Sequence, residues 1–197
     1  MKKIIITYFM NLICKQNKYN EIKLQEIKYG LEAIYLNVSK FIVFFTINAF
    51  FGIFKESLLF LLFYVPLRSF SFGFHAKKSI TCWILSAIAF IGFPYLATLI
   101  SFSMITKILV IIYSIFIFYI YSPADTPNRP IIDKKYRLKI KTNTMIFVII
   151  YSFLLFLAID FASLIALALI YQSLMISPYF YKLFNLRYNN YLYYGLN

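Results

Sequence analysis

Acidic residues, histidine and cysteine are all scarce in this chain of 197 residues, which carries seven Asp and Glu together, one histidine and two cysteines. Cys14 and Cys82 stand far apart, so they give neither a disulfide framework nor zinc-ligand spacing, and a lone imidazole brings no second nitrogen ligand. No structural disulfide, metal site or cofactor is expected. Charged residues are also few, at 14% against 62% hydrophobic. Together with a mean hydropathy of +0.76, this excludes a soluble globular domain and points to an integral membrane protein. What charge there is runs one way, with 20 Lys and Arg and a net charge of +13. These bases sit in short segments flanking apolar runs, which suits anionic headgroups and membrane orientation, so the expected partner is a lipid bilayer and not nucleic acid.

A single domain is expected, with an N-terminal interfacial segment (1–40), a membrane-embedded core (41–181) and a cytoplasmic tail (182–197). Met1 to Cys14 opens on Lys2 and Lys3 and a short apolar run, but it lacks a small-residue cleavage site and reads as a retained, membrane-hugging N-terminus. From Glu21 to Lys40 the apolar residues Leu24, Ile27, Leu31, Ile34 and Val38 recur at spacings of three and four, with Lys23, Glu26, Lys28 and Glu32 facing away. This predicts an amphipathic helix along the membrane surface.

Phe41 to Leu67 is apolar apart from Lys55 and Glu56, which a single crossing would bury in hydrocarbon at a cost of several kcal/mol. Two short or re-entrant helices, Phe41 to Phe54 and Ser57 to Leu67, turning near Lys55, avoid that cost. As one helix, Ser79 to Ala124 would be ~69 Å long, about twice what a bilayer needs. It must fold into two crossings that turn near Ser101 to Lys107, with a kink at Gly92 and Pro94. Thr142 to Tyr181 makes a second hairpin turning at Asp160. The expected fold is therefore an all-α polytopic membrane helical bundle of four crossings plus two short or re-entrant ones. Basic residues at Arg68, Lys77 and Lys78, at Arg129 to Lys141, and at Lys182 and Arg187 place both termini and the intervening basic loops in the cytoplasm.

The stretch Arg68 to Cys82, RSFSFGFHAKKSITC, holds the only histidine and one of the two cysteines between two apolar runs. A cysteine attacks as its thiolate, which an imidazolium, nearby cations or a helix N-terminus favour, and all three are at hand. With Ser79 as N-cap, Cys82 falls in the first turn of the next helix, whose free N–H groups could also stabilise an oxyanion. On one straight helix His75 and Cys82 would stand ~10.5 Å apart along the axis, too far for a base and its nucleophile. A non-helical turn between Gly73 and Lys78 is therefore required. The bland alternative is a solvated loop histidine and a cysteine serving as a small hydrophobe.

Arg68, Gly73, His75, Ala76, Ser79 and Cys82 follow the spacing Arg-x-x-x-x-Gly-x-His-Ala-x-x-Ser-x-x-Cys, and with SPADTPNRPI at Ser122 to Ile131 this resembles the AgrB family of bacterial quorum-sensing peptide processors. Many members carry two glycines before the histidine, and here Phe72 takes the first place. The resemblance implies a cysteine endopeptidase of the bacterial plasma membrane that removes the C-terminal part of an AgrD-like propeptide. Cys82 would be the nucleophile and His75 the base, forming an acyl-enzyme that can close to a thiolactone or lactone. It is also compatible with a homodimer. Arg68, Gly73 and Ser79 are expected to support the site. Phe70, Phe72, Phe74 and Trp83 could exclude water, and Asp125, Asn128 or Ser79 could orient His75. Lys134, Lys135 and Arg137 could attract an acidic substrate tail, although a topology signal is the safer reading. A small permease or a passive scaffold is the competing reading, against which stands a thin set of polar residues, Thr46, Asn48 and Gln172.

Overall fold

The computed structural model describes residues 2–16, 19–76, 79–127, 130–157 and 160–194. The chain divides into two compact units, Met1–Ala49 and Phe50–Asn197. In the first, α1 (Lys2–Gln16) is followed by α2 (Glu21–Phe50). Asn20 caps α2, its Oδ1 accepting the Lys23 N–H at 2.9 Å. The expected break between a surface helix and a separate Phe41 to Phe54 helix is not there, because α2 runs unbroken through Lys40 for 30 residues. Leu24, Ile27 and Leu31 of the stripe are half-buried, whereas Ile34 and Val38 are exposed.

The second unit begins at a turn through Gly52, whose φ of 72° favours glycine. It continues as α3 (Phe54–Ser71). The turn thus falls just ahead of Lys55, and Glu56 sits in the first turn of α3, where a carboxylate suits the positive end of the helix dipole. After a loop come α4 (Ser79–Ala87), a π-helical turn (Ile88–Gly92) and α5 (Phe93–Leu99), which together form one apolar rod. The irregularity expected at Gly92 and Pro94 takes the form of this π turn. Pro94 has no N–H to give to the carbonyl of Phe90 one turn back, and Ser57 of α3 donates its hydroxyl to that carbonyl at 2.9 Å.

Next come α6 (Met104–Tyr121), α7 (Lys134–Leu157) and α8 (Ala162–Ile176). Ser103 caps α6 by accepting the Thr106 N–H, so the turn lies in the expected region. Exposed Asp160 stands in the α7–α8 turn; its neighbours Ala158 and Ile159 lie outside the described residues. Short helices α9 (Pro178–Leu183) and α10 (Tyr191–Tyr194) close the chain.

α8 is apolar all round and nearly every residue of it is buried, as befits the centre of a bundle. It packs against α3, α5, α6 and α7. By contrast α6 buries only Val110, Ser114 and Phe118 and presents Ile105, Leu109, Ile112 and Phe116 outward. A helix that hides a narrow stripe and exposes Ile, Leu and Phe is suited to lipid rather than water. Four helical stretches, Glu21–Phe50, Ile80–Leu99, Met104–Tyr121 and Lys134–Leu157, are long and apolar enough to cross a membrane, consistent with a multi-pass membrane protein. Among the described residues there is no strand, and the bundle is all-α. The four crossings inferred from sequence included the segment of α8, which at 15 residues is shorter than those four.

Candidate functional site

The junction between α3 and α4 carries the residues singled out by sequence. α3 stops at Ser71 because Phe72 adopts φ 57° and ψ −126° and Gly73 φ 110°. Both are left-handed values that glycine tolerates and phenylalanine adopts only under external restraint. Residues 73–76 are non-helical, so no straight helix runs from Phe70 into α4. Lys77 and Lys78 lie outside the described residues.

The restraint on Phe72 can be read bond by bond. Its N–H reaches back to the Arg68 carbonyl at 3.1 Å. Its own carbonyl accepts from the Arg68 guanidinium at 2.8 Å and from Gln172 Nε2 of α8 at 2.7 Å. Gln172 Nε2 also reaches Ser71 Oγ at 2.6 Å. The second arm of Arg68 donates to the carbonyl of Phe74. The structure thus gives Arg68 a role inside the chain: its fork holds two carbonyls of the bend, a geometry that a lysine cannot reproduce.

Gly73 is wedged where no Cβ fits, since one placed there would lie 2.7 Å from Arg68 Nη1 and 2.8 Å from the Met175 carbonyl oxygen. The Gly73 N–H donates to the Ala124 carbonyl and the Phe74 N–H to that of Met175, both at 2.8 Å. Ala124 in turn donates to Ser71 at 3.0 Å, making a one-rung parallel bridge between Phe72 and Ala124. The segment before His75 is therefore stitched to α8 on one side and to the SPADTP segment on the other.

His75 follows this stitched segment and is exposed. Ser79 is the first residue of α4 rather than its cap, and Cys82, half-buried and outside any disulfide, lies in the first turn. Of the aromatics expected around the pair, Phe74 is buried among Phe180, Tyr181 and Phe184. Trp83 is half-buried. Phe70 turns instead to α7, where it stacks on Phe147 at 5.3 Å.

Asp125 is a candidate for orienting His75. It is 1% exposed, and its carboxylate accepts the N–H groups of Asn190 at 2.9 Å, Tyr191 at 2.7 Å and Ile131 at 3.4 Å. The buried Tyr181 hydroxyl donates to the Asp125 carbonyl at 3.0 Å. The C-terminal tail is thereby locked onto the segment that pairs with the bend. Asn128, the other loop candidate, lies outside the described residues, as does Arg129. Lys134, Lys135 and Arg137 do not sit in a loop: they form the first turn of α7, capped by Asp133, whose Oδ1 accepts the Lys135 N–H at 2.9 Å. Lys134 and Lys135 are exposed, while the Arg137 guanidinium lies 3.5 Å from the centre of the Tyr191 ring.

Sequence reasoning missed the structural weight of Gln172, Asp125 and the Pro178–Leu186 segment. One signal for the last was available. Ser177-Pro178 is a helix start and Asn185 a helix stop. Indeed the Leu186 N–H bonds the Tyr181 carbonyl and the Asn185 N–H that of Lys182, a Schellman close with Asn185 at φ 50°.

The profile of the family described as Accessory gene regulator B matches residues 6–176. A putative AgrB-like protein of Clostridium acetobutylicum is 30% identical over 179 residues, covering 90% of this chain and 86% of its own. One from Listeria innocua is 33% identical over 169 residues, covering 84% and 82%. The accessory gene regulator protein B of Staphylococcus aureus is 26% identical over 176 residues, covering 89% and 94%. No solved structure matches.

Proposed function

Because the chain belongs to the accessory gene regulator B family, with a role in the agr quorum-sensing system, we propose that it is a membrane-embedded cysteine endopeptidase that processes an AgrD-like propeptide. The observation that carries this reading is the break between α3 and α4. It frees His75 from the helical axis on which Cys82 sits and so removes the separation that a straight helix would impose.

In the proposed reaction His75 accepts the thiol proton of Cys82, and the sulfur attacks the scissile carbonyl carbon. A C–S bond forms and the carbonyl electrons move to oxygen, where N–H groups of the first turn of α4 can stabilise them. Collapse of the intermediate breaks the C–N bond, and His75 returns the proton to the departing amine. The thioester left behind keeps the acyl group activated. Attack by an internal cysteine or serine of the substrate then gives a thiolactone or lactone and restores the thiol; attack by water gives the linear acid. The site faces the cytoplasm of a bacterial plasma membrane in this reading, since basic residues flank it. A second copy of the chain is a compatible partner.

The test is co-expression with the precursor, comparing wild type with Cys82→Ala and His75→Ala at matched membrane levels. Loss of cleavage in both, with insertion retained, is expected. Full cleavage by Cys82→Ala rules the peptidase out and leaves the permease or scaffold reading.

A further inference from the structure

A cleft of about 350 Å³ opens beside the α3–α4 junction, lined by Phe74, Ala76, Thr81 and the tail residues Leu183 to Leu186. Phe74 and Ala76 are the chain neighbours of His75, and Thr81 precedes Cys82, so three walls of the cleft come from residues adjoining the proposed base and nucleophile. The fourth is the Schellman turn that closes α9. Phe74 is held rigidly beneath it, with its ring 4.6 Å from that of Phe184 and 5.2 Å from that of Phe180. None of the described lining residues is charged. The volume exceeds the ~150 Å³ that suffices for a benzene-sized guest in an apolar cavity, and it falls within the roughly 300–1,000 Å³ of small-ligand clefts.

We propose that this cleft, walled by the C-terminal tail, is the side-chain subsite of the peptidase and takes an apolar aliphatic or aromatic side chain from the residue whose carbonyl Cys82 attacks. The inference rests on the peptidase reading and adds the substrate chemistry. The acyl half must stay seated after the leaving peptide has gone, or water takes the thioester before the ring closes, so apolar binding beside the acyl carbon serves cyclisation directly. The apolar side chains of Phe74, Leu183, Phe184 and Leu186 in the lining fit an apolar group of that half. It also gives the tail a function: the Asp125 bonds to Asn190 and Tyr191 hold the far end of the segment that forms the subsite wall.

The test uses the full-length protein in lipid vesicles and three affinity labels, the chloromethyl ketones of acetyl-glycine, acetyl-leucine and acetyl-phenylalanine. In each, the thiolate of Cys82 displaces chloride from the methylene carbon, and the amino-acid side chain occupies the acyl-side position. Because Cys14 is a second, exposed free thiol, peptide mass mapping, which separates the two cysteines, gives the rate of labelling at Cys82. Each rate is divided by that of iodoacetamide at Cys82 in the same variant, which corrects for any change in the thiol itself. The leucine and phenylalanine reagents should outpace the glycine reagent by about tenfold or more. Ala76→Leu, which narrows the cleft, should reduce that preference to about twofold or less. Leu183→Ser, at a position 71% exposed, should lower it as well. Equal normalised rates for the three reagents, or an unchanged preference in both variants, would overturn the subsite. Neither result depends on turnover, so a failed subsite is told apart from a failed peptidase, which only the Cys82→Ala cleavage test decides.

Discussion

Replacing Gly73 by alanine should open the bend while leaving the bundle in the membrane. Two costs combine. The φ of 110° lies outside the small left-handed basin open to alanine, and holding a side-chain residue there costs about 1–3 kcal/mol. The new methyl would also sit 2.7 Å from Arg68 Nη1 and 2.8 Å from the Met175 oxygen, so the guanidinium must withdraw from the Phe72 carbonyl or the bend must leave α8. Losing one charge-assisted bond adds about 1.5–3 kcal/mol. A sum of about 2.5–6 kcal/mol is less than the whole stability of most domains, so the loop gives way before the helices do. Two assays follow. Hydrogen exchange at the amides of residues 73 and 74, now bonded to Ala124 and Met175, should accelerate by about a hundredfold or more, and precursor cleavage should fall by a similar factor. Gly30→Ala is the control: nothing lies within 4 Å of its added Cβ, and in the interior of α2 the change should be neutral or stabilise by about 0.5–1 kcal/mol. A Gly73→Ala protein with wild-type cleavage and wild-type exchange would refute the claim that this close approach shapes the site.

Phe72→Gly should keep cleavage and raise the melting temperature slightly or leave it unchanged, because relief of about 1–3 kcal/mol of backbone strain opposes a glycine entropy cost of about 0.5–1 kcal/mol; a collapse of activity would show that the ring and not the turn matters. Asp125→Asn exchanges an acceptor-only carboxylate for a group with one oxygen facing three N–H donors. About 2–3 kcal/mol should be lost, read as trypsin cutting after exposed Arg187 some thirtyfold faster or more. For Tyr188, whose hydroxyl donates to the Tyr121 carbonyl at 3.1 Å, burial raises the phenol pKa above its ordinary 10.0, with Arg137 pulling the other way. A raised folded pKa means that docking of the tail is unaffected below pH 10 and weakens as pH climbs beyond it, where the undocked phenol ionises first. Proteolysis of the tail in an alkaline series should show that loss, and Tyr188→Phe should flatten it.

Features written into one local stretch of residues were legible without coordinates. A glycine ahead of His75 and a serine ahead of Cys82 announced the bend, and Pro94 announced the irregular rod. Two boundaries misled for a physical reason. Lys55 and Glu56 suggested a turn at the charges themselves. A carboxylate in a first helical turn is favourable, however, so the chain turns one step earlier, at Gly52, and keeps Glu56 in α3. The basic run from Lys134 to Lys141 looked like a loop because it is not apolar, yet charge does not break a helix, and Asp133 starts α7 directly beneath it. The tail clamp was invisible for a deeper reason. Asp125 bonds to the backbone amides of residues 190 and 191, and an amide carries no side-chain identity for a pattern to register.

The polar residues inside the apolar bundle bear on which kind of membrane protein this is. A permease needs polar side chains left over to line a path. Most of those described here bond to the chain's own backbone, while Ser114 Oγ in α6 and Gln172 Oε1 in α8 are buried without a hydrogen-bond partner. Ser57 donates to the Phe90 carbonyl, to which Pro94 has no N–H to give. Gln172 gives its amide to the end of α3, and Ser71, Thr144, Ser152 and Ser173 each donate to the carbonyl one turn back. Thr46 of α2, which is exposed, does the same. Each such bond spares a carbonyl or hydroxyl the cost of standing bare in hydrocarbon. The largest of these investments, Arg68 with Gln172, converges on a single strained peptide three residues before His75. Arg68 and Gln172 thus hold one bend at the edge of the bundle, as the proposed peptidase requires, and the remaining buried hydroxyls with a bond here are used on backbone carbonyls and not along a common path.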